Sequence, residues 1–272
     1  MPDTLMRSAL FVPASRPERI SKAVASGADA VIVDLEDSVA PEAKAGARDA
    51  LARHVATHPG DRLWVRINDG TTPWFEDDLA LCRSLPSVAG IVLPKAQTAE
   101  HVYIVSGAGK PLLPVIESAA GIRALDRIAA AHGVERLSFG SLDLLVELGT
   151  RLMTEASRFV LGQIRCDILK ASRMHGLAAP LDCVHPDFTD LDLLERSCTM
   201  ARDMGFGGML CIHPAQIPVA HRLYQPLAEE VEWARRVVDH ADSTGEYAFR
   251  LDGRMVDLPL IERARRILEQ SA

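Results

Sequence analysis

Aromatic residues are scarce: Phe, Trp and Tyr make up 5% of the 272 residues, so Ala, Val, Leu and Ile must fill any interior. There is no surplus of positive charge. With 30 Lys and Arg against 37 Asp and Glu, the net charge is −7, which argues against a nucleic-acid surface and leaves room for a small anion held by local arginines. No apolar stretch approaches the roughly 18 residues of a membrane span. The N-terminus lacks the charged head and long apolar region of a signal peptide. The expectation is a cytoplasmic protein with no membrane and no nucleic-acid partner. The five cysteines (Cys82, Cys166, Cys183, Cys198, Cys211) are odd in number, scattered, and form no Cys-x-x-Cys pair. That excludes a disulfide framework and a cysteine zinc site. There is no glycine-rich phosphate loop after the first apolar run, where Val12-Pro13-Ala14-Ser15-Arg16 contains no glycine. Internal repeats and low-complexity tracts are also missing.

What is present is alternation. Hydrophobic residues make up 48% and charged residues 25%, the profile of a globular chain with a sizeable core. Eight short apolar runs, at 9–12, 30–33, 63–67, 90–93, 112–116, 137–139, 178–183 and 208–212, have the length and branched content of strands covered on both faces. Helical patterns separate them at 17–26, 41–57, 118–131, 154–175 and 190–204, with Ser118 a plausible N-cap and Gly27, Gly176 and Gly205 as stops. Strands alternating with helices mean a parallel sheet. The economical solution for about 250 residues is an α/β protein of the closed (β/α)₈ TIM-barrel type, with a doubly wound open sheet as the alternative. The barrel is expected over 1–222. The tail, 223–272, holds helices near 228–241 and 258–270 around an Asp252-Gly253 hairpin turn. It exceeds what a barrel needs, and is expected to pack over the barrel mouth or on a neighbouring subunit.

Polar residues collect at the carboxyl ends of the runs, the end where barrel active sites lie. The ends read Ser15-Arg16, Asp34-Leu35-Glu36-Asp37, Arg66-Ile67-Asn68, Pro94-Lys95, Glu117, Asp143, Asp187 and His213. Glu117 and Asp143 lie 26 residues apart, one strand-helix-strand repeat. Singly, each reads as a first-turn helix acid facing the macrodipole. Together, at successive strand ends, they suit a hard divalent cation such as Mg²⁺, which takes one or two carboxylates and keeps positions for water and substrate. Zinc is disfavoured because no histidine or cysteine accompanies them.

Arg66 ends an otherwise apolar strand and must find an anion. Either it pairs with Asp34, Glu36 or Asp37 across the mouth, or its fork of donors grips a substrate carboxylate or a developing oxyanion. The acids at 34, 36 and 37 repel one another and need a positive neighbour, unless they cap a helix before Pro41. Arg66, Lys95 or the metal could meet that need, and Lys95 also fits a Schiff-base aldolase. Asp257 reads locally as an N-cap of the last helix.

These residues carry a resemblance. Segments in order along nearly the whole chain resemble the citrate lyase beta-subunit family of the HpcH/HpaI aldolase superfamily. They are Arg7-Ser-Ala-Leu-Phe-Val-Pro13, Gly27-Ala-Asp-Ala-Val-Ile-Val-Asp-Leu-Glu-Asp37, Val65-Arg-Ile-Asn68, Gly70-Thr-Thr-Pro-Trp74, Leu93-Pro-Lys95, Ile116-Glu-Ser118, Phe139-Gly-Ser-Leu-Asp143 and Cys211-Ile-His-Pro-Ala-Gln216. The resemblance implies a (β/α)₈ barrel, Mg²⁺ on Glu117 and Asp143, and substrate contact through Arg66. Its malyl-CoA and citramalyl-CoA lyase members use an aspartate in a C-terminal Asp-Gly-x-Met-x-Asp stretch that acts in an adjacent subunit. Here that stretch is Asp252-Gly-Arg-Met-Val-Asp257, so Asp257 inherits the role and a homo-oligomer, trimer or hexamer, is implied. Two departures, Ala14 in place of glycine and Met209 in place of lysine, bear on how a thioester carrier is held.

The expected activity is Mg²⁺-dependent cleavage of a 3-hydroxyacyl-CoA thioester, of citramalyl or malyl type, to acetyl-CoA and a 2-oxo acid. The expected catalytic residues are Arg66, Asp257, Glu36 and Asp37, and the substrate contacts are Arg66, Glu117, Lys95 and Arg16. The rivals are a citryl carrier-protein lyase subunit of a citrate lyase complex, an aldolase acting on free hydroxy-oxo acids, and a catalytically silent metal-binding regulatory or scaffold subunit.

Overall fold

All eight apolar runs form parallel strands in a computed structural model that describes residues 5–271. They are β1 (Ser8–Pro13), β2 (Ala30–Asp34), β3 (Leu63–Arg66), β4 (Val88–Leu93), β5 (Leu112–Ile116), β6 (Ser138–Phe139), β7 (Leu181–Asp182) and β8 (Gly208–Cys211). The pairing order is β6-β5-β4-β3-β2-β1-β8-β7. The seam between β6 and β7 is closed by Ala178 N–H donating to the Glu135 carbonyl at 2.9 Å and Leu181 N–H to the Leu137 carbonyl at 3.0 Å. The result is the expected TIM barrel. β7 is far shorter than its apolar run because Pro180 has no N–H to give the ladder.

The helices in chain order are α1 (Ile20–Val24), α2 (Lys44–Thr57), α3 (Phe75–Ser84), α4 (Ala99–Ser106), α5 (Ala119–Ala129), α6 (Ser141–Glu147), α7 (Glu155–Met174), α8 (Leu191–Met204), α9 (Gln216–Leu223), α10 (Ala228–Thr244) and α11 (Leu258–Ser271). Ser118 caps α5, accepting the Gly121 N–H at 3.1 Å. Gly205 ends α8 in the left-handed region. Three helices, α3, α4 and α6, are not read from the sequence. They are short, and α6 leaves Leu142 and Val146 exposed, so no clean apolar stripe announces it.

Side chains alternate across each strand. Ala30, Ile32, Trp64, Val92, Leu113, Val115, Leu181 and Leu210 form one buried cluster that fills the barrel. Trp64 is the aromatic among its buried members, and Phe11 packs against it partly buried. A Cβ on Gly90 would lie 2.5 Å from the Trp64 ring, so the ring occupies the space that β4 leaves empty. Continuing the alternation by two residues carries Ile32 to Asp34, Trp64 to Arg66 and Val115 to Glu117. The period of the strand therefore aims these three polar groups at the carboxyl end of the barrel interior.

The chain divides into two compact units, Met1–His221 and Arg222–Ala272. The second has its own core, in which Ala234, Val237, Phe249, Val256, Ile261 and Ala264 are buried together. Its hairpin, β9 (Ala248–Leu251) with β10 (Arg254–Asp257), turns at Asp252 and Gly253, whose φ values of 50° and 78° fit a type I′ turn.

Candidate active site

Asp34 anchors the site. It is 2% exposed, and its carboxylate accepts Arg66 Nε at 2.6 Å, Arg66 Nη2 at 2.7 Å, Glu36 N–H at 2.9 Å and Ser38 N–H at 3.1 Å. Burial alone would raise its pKa, but the hydrogen bonds and charge of Arg66 outweigh burial and hold it below the usual carboxylate range. Two of the five Arg66 N–H groups are thus committed to Asp34. Nη1 faces Glu36 Oε2 at 3.0 Å and Asp37 Oδ2 at 3.7 Å, and the guanidinium lies 4.8 Å from the Phe11 ring centroid. Of the two sequence readings of Arg66, the ion pair across the mouth is present. Asp34, weighed there only as a partner, is the residue that aims it.

Glu36 is buried and linked to Lys95, whose ammonium donates to Glu36 Oε1 and reaches Asp37 Oδ1 at 3.5 Å. Burial raises the pKa of Glu36 and Asp37 adds to the rise, against the opposing pull of Arg66 and Lys95. Glu36 Oε2, though close to Arg66, has no hydrogen-bond partner. Lys95 pairs with two acids, and they raise its pKa against the effect of burial. A Schiff-base lysine needs the opposite shift, so the aldolase reading of Lys95 loses its physical basis. The Lys95 backbone matters more than sequence reasoning suggested. Its φ of 48° is left-handed, and that turn points its N–H at Glu117 Oε1, 2.6 Å away.

Glu117 ends β5 with 7% exposure. Burial, then the charges of Glu36 and Asp143, push its pKa up to about 7, against the Lys95 N–H and Arg66. A Cβ on Gly140 would lie 2.4 Å from Glu117 Oε2, so the backbone after β6 closes directly on the carboxylate. Asp143 follows in the first turn of α6, exposed, and near enough for its charge to act on Glu117. The N-cap position of α6 is Gly140, and no side chain bonds there. Glu147, at the other end of α6, accepts the Ala119 N–H at 3.1 Å and ties this helix to α5 beside Glu117.

Among the described residues no three His, Cys, Asp or Glu side chains stand together as a complete metal cage. Two carboxylates with open positions are what the site has, a set that suits a hard oxygen-seeking cation and not zinc. Burial drives the thiols of Cys82, Cys183 and Cys211 up to about 12, which makes them poor nucleophiles. Arg16 is exposed after β1. His213 stacks on Phe188 with ring centroids 4.5 Å apart. Asp187 binds the Thr189 and Asp190 amides of its own loop. Met209 is buried on β8 with its sulfur 3.3 Å from that of Cys198. In the second unit, Asp257 ends β10 with its side chain exposed, directly before α11.

The family model described as HpcH/HpaI aldolase/citrate lyase matches residues 7–214. The chain belongs to this family. Relatives of the HpcH/HpaI aldolase/citrate lyase chain include a citrate lyase subunit beta-like protein of Mycobacterium tuberculosis, 39% identical over 96% of this chain and 94% of that one. A (3S)-malyl-CoA thioesterase of Cereibacter sphaeroides is 35% identical over 97% and 94%. The crystal structure of CitE from Mycobacterium tuberculosis in complex with magnesium, acetoacetate and coenzyme A superposes with a TM-score of 0.86 at 36% identity, covering 99% of each chain. No helix among the described residues is long and apolar enough to cross a membrane.

Proposed function

We propose that the chain is a Mg²⁺-dependent carbon–carbon lyase that cleaves a 3-hydroxyacyl-CoA thioester of citramalyl or malyl type to acetyl-CoA and a 2-oxo acid. One observation carries this reading. The charges of Glu36 and Asp143 both reach the buried Glu117 and, with burial, push its pKa up to about 7. A divalent cation supplies the charge this set lacks, and Glu117 and Asp143 are the residues that would hold it. The related CitE structure with magnesium, acetoacetate and coenzyme A supports the same ligand class.

When bound, Mg²⁺ supplies Lewis-acid polarisation to the hydroxy-carboxylate end of the substrate. The substrate hydroxyl gives up its proton to solvent water, the C2–C3 bond breaks to leave a 2-oxo carbonyl, and the electron pair of that bond moves into the thioester carbonyl as an enolate. Arg66, aimed by its two hydrogen bonds to Asp34 and ion-paired with Glu36, stabilises the enolate oxygen, the kind of preorganised charge that is worth about 3–4 kcal/mol in the transition state. Asp37 helps fix the Arg66 and Lys95 cations. Asp257, from an adjacent subunit of a homo-oligomer, delivers the proton to the enolate carbon. Arg16 and Lys95 border the path of the carrier.

A second reading has a specific support, since a relative of 35% identity is a thioesterase. Purified protein incubated with citramalyl-CoA, malyl-CoA and other 3-hydroxyacyl-CoA esters, with and without Mg²⁺, separates the cases by product. Release of a 2-oxo acid together with intact acetyl-CoA supports the lyase. Free CoA with the intact hydroxy acid means hydrolysis. Turnover confined to a carrier-protein thioester means a citrate lyase subunit. Binding without turnover means a silent subunit.

A further inference from the structure

Lys44 is the first residue of α2 and is 5% exposed. Its place in the sequence is on an apolar stripe: Ala47, Leu51 and Val55 follow at helical spacing and all are buried. A methionine would complete that stripe without the penalty of burying an ammonium. The ammonium is instead fully bonded. Its three N–H groups go to the Leu35 carbonyl at 2.7 Å, the Glu36 carbonyl at 2.8 Å and Asn68 Oδ1 at 2.7 Å. Trp74 covers it, with Nζ 5.1 Å from the ring centroid. Asn68 repeats the grip, donating to the Leu35 carbonyl at 3.0 Å, and is itself fixed by the fully buried Asp78 at 2.6 Å.

The other side of the same segment is held by Asp34, which accepts the amides of Glu36 and Ser38. The backbone that carries Glu36 is therefore clamped through its carbonyls by Lys44 and through its amides by Asp34. We propose that Lys44 is a positioning residue for the reaction: it fixes the Glu36 backbone so that the Glu36 carboxylate keeps its ion pairs with Arg66 and Lys95. This rests on the role given above to Glu36 and Arg66, and it assigns a task to a buried lysine outside the reacting groups.

The test compares Lys44→Met with Leu51→Ala, a core truncation two turns along the same helix that removes none of the hydrogen bonds made by Lys44 or Asn68. Displacing a positioned group by about 1 Å can cost on the order of 10²-fold. The expected result for Lys44→Met is a kcat at least about 30-fold lower with KM little changed, while Leu51→Ala lowers the melting temperature as much or more and keeps its kcat. Amide hydrogen exchange supplies a readout that does not need turnover. Glu36, Ser38 and Val39 amides should exchange faster in Lys44→Met and not in Leu51→Ala. If Lys44→Met does not fold, Lys44→Gln carries the same comparison. Equal kcat losses in the two variants, or unchanged exchange at 36–39, would overturn the proposal. Should the wild type turn over no thioester, the lyase reading fails by itself, and the exchange pattern still decides whether Lys44 holds the segment.

Discussion

Replacing Glu117 with glutamine should stabilise the metal-free protein and abolish its response to Mg²⁺. Folding moves the Glu117 carboxyl from 4.5 to about 7, mainly through burial and then through the charges of Glu36 and Asp143. At pH 8 the ionised side chain then costs about 3 kcal/mol relative to the unfolded chain, from 1.36 kcal/mol per pKa difference of one. The sign follows from proton binding. Below pH 4.5 both states are protonated and nothing is lost. Between 4.5 and about 7 the folded protein keeps a proton that the unfolded chain has released, so stability falls as pH rises through that window and levels off above it. At pH 5 the penalty is only about 1 kcal/mol. Glutamine does not titrate. Its carbonyl can still accept the Lys95 N–H, in a weaker neutral bond, which leaves a net gain of about 2 kcal/mol at pH 8. That gain corresponds to a melting midpoint about 5 °C higher in EDTA. Mg²⁺ at a hundred times its Kd returns about 2.7 kcal/mol to the wild type and nothing to a variant that cannot bind it. Thermal melts followed by circular dichroism at pH 5, 7 and 8, in EDTA and in excess MgCl₂, read all of this. A Glu117→Gln protein less stable than wild type in EDTA at pH 8, a gap that does not grow with pH, or a retained Mg²⁺ response would refute the reasoning.

Gly140→Ala places a methyl 2.4 Å from Glu117 Oε2, and isothermal titration should show Mg²⁺ affinity at least about tenfold weaker, with an overpacking cost of about 1–3 kcal/mol. Arg66→Lys keeps the charge and loses the fork to Asp34. Steady-state assays should find kcat lower by about 10²–10³-fold, with reduced thermal stability because an ammonium cannot reproduce the paired Nε and Nη2 bonds to Asp34; kcat within threefold of wild type would contradict the role. Asp257→Asn should cost about 10²-fold or more in turnover while leaving the barrel's melting midpoint unchanged, since the side chain is exposed; full activity on every thioester would remove Asp257 from the mechanism.

The barrel was legible because buried parallel strands leave uninterrupted apolar runs, and the chain has eight of them. The rim residues were legible for the same reason, as polar groups stand out at the ends of such runs. Asp34 was visible as one of three crowded acids, but nothing local told which acid would take Arg66. Lys44 left a trace that went unread, a lysine in register with Ala47, Leu51 and Val55 on the buried face of α2. The approach of Gly140 to Glu117 and the left-handed turn at Lys95 left none, because both depend on how separate strand ends meet. Helix α6 escaped notice because seven residues with exposed Leu142 and Val146 do not make an amphipathic pattern.

The claim on which the rest depends is a divalent-cation seat made by Glu117 and Asp143. A crystal structure grown with MgCl₂ and a 2-oxo acid measures it directly. The account predicts one ion with a carboxylate oxygen from each residue at about 2.0–2.1 Å, the remaining positions filled by water and the 2-oxo acid. An ion bound elsewhere, or none at saturating Mg²⁺ with the two carboxylates turned apart, would contradict it.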